Sequence, residues 1–157
     1  MGLAPFLIDS PFSSSYTFLM ASKVVVYSDG GARGNPGPAA IGVLILDSKG
    51  HILKEHKETI GEATNNVAEY TAVLVGLALA KTVGAEEVQY FVDSQLVARQ
   101  ISGEYRVKAP HIKSLLLQVR QKIDSFRKVT VKQVPRSHEN IEHVDGLVNE
   151  ALDEARH

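Results

Sequence analysis

Four acidic residues, Asp29, Glu69, Asp93 and Asp145, are spread along a chain of 157 residues, yet the elements they fall on would carry all four to one edge of a sheet. Carboxylates that converge repel one another unless a cation joins them, and hard oxygen donors suit Mg²⁺, with Mn²⁺ as a possible substitute. Two such ions, roughly 3.5 to 4 Å apart, supply what phosphodiester hydrolysis requires: an activated water, neutralised phosphate charge and a stabilised leaving oxygen. No cysteine is present and no histidine cluster competes for a zinc assignment. Each acid also has a plain structural use. Glu69 and Asp145 would complement a helix dipole, and Asp93, just before Ser94, could belong to a helix cap.

The convergence follows from the elements. Lys23 to Ser28 is a short β-branched run that places Asp29 at its C-terminal tip, before Gly30-Gly31, and Val88 to Val92 does the same for Asp93. Between them Asn65 to Val83 reads as a helix closed by Gly84, so the second strand should return parallel to the first by a right-handed crossover. Glu69 then lies near the start of that helix and Asp145 near the start of the last one. Ala39 to Asp47 is a further strand, joined by the turn Asp47-Ser48-Lys49-Gly50 to a polar edge strand, His51 to Ile60. A short helix over 94–102, a helix from Pro110 to about Phe126, a strand from Val129 to Val134 and a final helix complete the reading. The expected class is α/β, with a five-stranded mixed sheet and helices on both faces.

The segments around the four acids carry more than capping requires. Ser-Asp-Gly-Gly-Ala-Arg-Gly-Asn-Pro-Gly-Pro (28–38), Thr-Asn-Asn-Val-Ala-Glu-Tyr (64–70), Val-Asp-Ser-Gln (92–95) and Val-Asp-Gly-Leu-Val-Asn-Glu-Ala (144–151) resemble, in order and spacing, the motifs of type 1 ribonuclease H. The resemblance covers the chain from Lys23 onward. It implies the ribonuclease H-like fold and a metal-dependent endonuclease that cuts the RNA strand of RNA–DNA hybrids, leaving 5′-phosphate and 3′-hydroxyl ends. It further implies that Asp29 bridges two Mg²⁺ ions, that Asp145 completes the water-activating side, and that Glu69 and Asp93 face the leaving group. A junction resolvase, a 3′-5′ exonuclease and a degenerate hybrid-binding module are competing readings.

Candidate substrate contacts surround the acids. Gly30 and Gly31 would let backbone approach a nucleic acid, with tight turning as the alternative. Asn35, Asn65, Asn66 and Gln95 offer hydrogen bonds to minor-groove edges and 2′-hydroxyls, although Asn65 and Asn66 could instead cap the crossover helix. By resemblance, Thr64 is a phosphate contact on the DNA strand. The loop before Asp145 should hold a group that assists proton transfer or product release, and His138 is favoured over Arg136. The chain departs from the family in two places. The basic, Trp-rich protrusion found in many members is reduced to Gly103–Lys108, and Asn140 stands five residues before Asp145 instead of four.

The net charge of −1 conceals an asymmetry. From Arg99 to Lys128 there are eight bases against two acids, a local net of +6, which suits a phosphate-binding face in which Arg106 and Lys108 take part. For Arg120 and Lys122 an ordinary solvated helix face is the alternative. The length suits one domain, expected over 23–157 and preceded by a flexible tail over 1–22 that makes a poor signal peptide. A monomer without a membrane span or an obligate protein partner is expected. Lack of cysteine fits a reducing compartment, and the cytoplasm is the expected location.

Overall fold

The computed structural model describes residues 22–156, so the expected tail over 1–22 lies outside the described residues except for Ser22. Strands β1 (Lys23–Ala32), β2 (Gly37–Asp47) and β3 (Ile52–Ala63) come first, then helix α1 (Asn65–Thr82) and β4 (Glu87–Val92). Helices α2 (Gln95–Ser102) and α3 (Pro110–Asp124), strand β5 (Lys128–Gln133) and helix α4 (Glu139–Ala155) follow. The strands form one mixed sheet in the order β3-β2-β1-β4-β5. β1, β2 and β3 pair antiparallel, whereas β4 lies parallel to β1 and β5 parallel to β4.

β1 does not end at Asp29 as its sequence suggests. Its parallel pairing with β4 stops at Tyr27 opposite Phe91, but its antiparallel pairing with β2 continues through Asp29 opposite Gly42 to Ala32 opposite Ala39. Gly30 and Gly31 are therefore held in a ladder, and Asp29 is a tip only with respect to the parallel half of the sheet. Helix α3 stops at Asp124, short of Phe126, because the Ser125 and Phe126 amides turn back to the carbonyls of Lys122 and Ile123. The Phe126 ring then tucks into the core beneath the Lys81 ammonium, 4.4 Å from its centroid.

Alternation along the strands sorts side chains onto two faces. Val24 and Val26 join Val43, Ile45, Val88, Tyr90 and Val92 beneath α1, α2 and α3, which contribute Tyr70, Leu77, Val97, Ile112 and Val119. Tyr27, Leu44 and Leu46 face the other way and receive Ile141, Val144 and Leu147 of α4. Each such buried side chain contributes about 1.5 to 3 kcal/mol, so α4 is fixed mainly by its apolar stripe. Ion pairs add direction: Lys57 on edge strand β3 reaches Glu150 and Glu154 of α4 at 3.1 and 2.8 Å. Among the described residues no helix is long and apolar enough to cross a membrane.

Candidate active site

Asp29 lies on the α4 face of β1, only 8% exposed, where the parallel strands run out. Two close backbone approaches bring acids from other elements to it. A Cβ at Gly30 would collide with the Ala68 carbonyl, so the first turns of α1 can rest directly on β1, and Glu69 is the next residue along that helix. On the opposite face a Cβ at Gly42, the residue paired with Asp29, would come within 2.6 Å of the Val144 carbonyl. Its absence lets α4 settle on the sheet with Asp145 beside Asp29. Asp93 completes the group from the residue just after β4. Carboxylate oxygens of Asp29, Glu69 and Asp93 all lie within 4.8 Å of one another.

The electrostatics are those of like charges drawn together out of water. Burial, then the charges of Asp93 and Asp145, a hydrogen bond with Asp145 and the charge of Glu69 push the Asp29 carboxyl up to about 8. Burial and the Asp93 charge push Glu69 up to about 7, partly offset by Arg136. One cation stands against this. Arg136 Nε donates to Asp93 Oδ2 at 3.2 Å from a side chain 84% exposed, and the hydrogen bond and surrounding acids hold it protonated. The donor set is entirely hard oxygen and its mutual repulsion is what a divalent cation would relieve, so these residues fit a metal of the Mg²⁺ type.

The acids open into a groove of about 320 Å³ lined by Asp29, Gly31, Arg33, Asn65, Glu69, Arg136, Asp145 and Asn149, among others. Its polar rim is locked by backbone hydrogen bonds. Asn65 Oδ1 accepts from the Ala32 amide at 2.9 Å and Asn35 Oδ1 accepts from the Asn65 amide at 3.0 Å. With both carbonyl ends engaged, the two amide NH₂ groups are left as donors. Thr64 Oγ1 accepts from the Val67 amide and caps α1. Asn66 Oδ1 is buried without a partner among the described residues.

The sequence-derived candidates are thus placed unequally. Gly30 and Gly31 both line the groove, and Gly30 is in addition buried against α1, where it serves helix packing. Gln95 is exposed at the start of α2, in a separate cleft with Lys132 and Gln133 between α2 and β5. Arg106 lies beyond the far end of α2 in a cleft of about 390 Å³ with Lys113 and Arg120, and Lys108 is exposed on the same loop. α2 is eight residues long, about 12 Å, so these bases stand well away from the acids. Of the two candidates in the loop before α4, Arg136 is the one at the acids. His138 instead caps α4, its Nδ1 accepting from the Asn140 amide at 3.1 Å, and stacks on Tyr27 with ring centroids 5.1 Å apart. Sequence reasoning missed Asn149, whose Nδ2 lies 3.5 Å from Asp145 Oδ2, and Arg33, which pairs with Asp153 at 2.7 Å. The spacing of Asn149 four residues after Asp145 was the available signal.

Known proteins share this fold. Residues 27–151 match the family described as "Reverse transcriptase-like". The N-terminal RNase H domain of Rv2228c from Mycobacterium tuberculosis superposes with a TM-score of 0.81 at 41% identity, over 86% of this chain and 96% of that one. RNase H1 from the archaeon Halobacterium salinarum also gives 0.81, at 39% identity over 84% of this chain and 98% of that one. LC11-RNase H1, solved in complex with an RNA/DNA hybrid, gives 0.80 at 41% identity over 85% and 99%. The chain spans only 36% of the full mycobacterial bifunctional protein and 66% of the Halobacterium ribonuclease HI sequence.

Proposed function

The chain belongs to the ribonuclease H family, and from that premise we propose that it is a divalent-cation-dependent endonuclease that hydrolyses the RNA strand of RNA–DNA hybrids. The observation that carries this reading is the meeting of Asp29, Glu69 and Asp93 within 4.8 Å, with the Asp145 charge acting on Asp29 and with Asp29, Glu69 and Asp145 lining an open groove. A structural neighbour of the same fold holds an RNA/DNA hybrid.

Mg²⁺, with Mn²⁺ as substitute, would be held by Asp29, Glu69, Asp93 and Asp145, and would supply Lewis-acid neutralisation of the scissile phosphate and a more acidic water. The protein's own groups do the rest. Asp29, central and buried, faces the other three acids and fixes where charge is concentrated. The outward amide groups of Asn35 and Asn65 can donate to ribose and phosphate oxygens along the groove, and a 2′-hydroxyl is what separates RNA from DNA there. Arg136 keeps Asp93 in place and presents positive charge at the rim, where it can meet a phosphate bidentately. It is therefore the better placed of the two loop candidates to assist turnover. All four acids come from one chain, which supports action as a monomer.

Incubation with end-labelled RNA–DNA, RNA–RNA and DNA–DNA duplexes, with and without Mg²⁺, tests the assignment. Internal cuts in the RNA strand of the hybrid, dependent on the cation and ending in 5′-phosphate and 3′-hydroxyl groups, are expected. Equal cleavage of the all-DNA duplex would sink it.

A further inference from the structure

Behind the acids lies a hydroxyl pair that neither packing nor the proposed chemistry uses. Ser28 is 2% exposed and stands directly before Asp29, on the opposite face of β1. Tyr90 of β4 is wholly buried, and its hydroxyl donates to Ser28 Oγ at 2.7 Å, with the Ala72 carbonyl of α1 at 3.2 Å. The pocket for this phenol is specific. A side chain at Gly76 of α1 would collide with the Tyr90 oxygen. Phe would fill the same volume without a polar group to satisfy, so the hydroxyl needs a reason.

That reason lies in what Ser28 can do once its oxygen is engaged. A serine hydroxyl accepts and donates. The Ala72 carbonyl can only accept, so when the Tyr90 proton lies on it Ser28 donates to the Tyr90 oxygen and its lone pairs can take a water's proton; when Tyr90 donates to Ser28, the Ser28 proton is left for such a water. Next to it is a cavity of about 10 Å³ lined by Ser28, Asp29, Glu69, Asp93 and Ser94. This is close to the smallest space that holds one water, and it offers at least the two to four polar partners a water needs.

We infer that Tyr90 is a positioning residue for the acidic site: its hydroxyl fixes that of Ser28, which holds one water against the inner side of the Asp29, Glu69 and Asp93 carboxylates. The inference rests on the reading above that these carboxylates bind cations. The water donates to carboxylate oxygens turned away from the groove and so leaves the outer oxygens in a fixed orientation for the metal. Partners one layer behind metal ligands typically contribute about 10- to 100-fold to affinity or activity.

Three measurements on the full chain test this. High-resolution diffraction should show a water within hydrogen-bonding distance of Ser28 Oγ and a carboxylate in the wild type, and none there in Ser28→Ala; a dry cavity in the wild type overturns the inference. Calorimetric titration with Mg²⁺ should give about tenfold weaker binding for Tyr90→Phe and for Ser28→Ala, no further loss in the double variant, and recovery in Ser28→Thr, which keeps the hydroxyl. Additive losses, or Thr behaving like Ala, would mean ordinary destabilisation and overturn it. On a hybrid substrate the same variants should lose kcat and keep KM. If Tyr90→Phe does not fold, the Ser28 pair carries the test alone. A wild type that binds Mg²⁺ yet cleaves no hybrid would end the nuclease reading while leaving the water and the titrations to decide this one.

Discussion

Replacing Asp29 by Asn should abolish cleavage and make the metal-free protein more stable. Folding raises this carboxyl from 3.8 to about 8, so between those values the folded state holds a proton that the unfolded state releases. The stability linked to Asp29 is therefore complete below about pH 4 and is lost as pH rises through about 8. At pH 7 the gap above 3.8 corresponds to about 4 kcal/mol of lost stability at 1.36 kcal/mol per unit. Salt screens the part due to Asp93, Asp145 and Glu69, although not the part due to burial, so the gain on substitution should lie between about 1 and 4 kcal/mol. For a domain of this size that is a rise in Tm of roughly 3 to 15 °C. Thermal melts without metal across pH 4 to 9 should show the wild type losing stability with rising pH and Asp29→Asn following a flatter line. Added Mg²⁺ should raise the wild-type Tm at neutral pH and raise that of the variant much less, since a ligand stabilises only the state that binds it. Two proteins with the same pH slope and the same shift with Mg²⁺ would refute both the charge repulsion and the metal-binding role of Asp29.

Arg136→Ala should lower turnover by about tenfold or more, whereas His138→Ala should cost about 1 kcal/mol of stability through the lost cap and change turnover little; steady-state rates and denaturant melts on both variants separate the two. Arg106→Ala with Lys108→Ala should raise KM more than it lowers kcat and reduce the salt dependence of hybrid binding, as measured by titrating KCl. Gly30→Ala, forced against the Ala68 carbonyl, should lower stability by about 1 to 3 kcal/mol and activity with it, and a variant as stable and active as wild type would show that α1 need not sit so close.

The positions of the four acids were legible because each sits beside a strong local signal. Asp29 and Asp93 end apolar runs, and Glu69 and Asp145 follow helix starts within a few residues. Parallel pairing of β1 with β4 was legible from the intervening helix, because a crossover leaves one common handedness. What local sequence does not encode is which chain fills the space opposite. The extension of β1 to Ala32 depends on β2 continuing to pair after β4 has stopped. Gly30 reads as a ligand-facing glycine, and its second use, the close contact with Ala68, emerges only once the position of α1 is known. Arg136 and His138 are two residues apart on one loop, and their separation into a groove cation and a helix cap follows from how Tyr27 and Asp93 lie on either side of it. Asn66 reads as a minor-groove contact or a helix cap, but Thr64 holds the cap, and the buried Asn66 Oδ1 has no partner among the described residues.

The contacts at Gly30 and Gly42 place backbone directly against backbone on the two faces of a single pair of strands. Side-chain packing yields by rotamer changes, but main chain pressed on main chain has no such slack. Asp29 is thus held like a blade in a clamp whose jaws are α1 and α4, and the fit is set one layer beneath the surface that substrate would touch. Surface loops such as Gly103–Lys108 can lengthen, shorten or change charge without loosening the clamp. The alignment of the acids should accordingly persist on heating until the sheet itself opens, so that thermal loss of activity coincides with global unfolding and does not precede it.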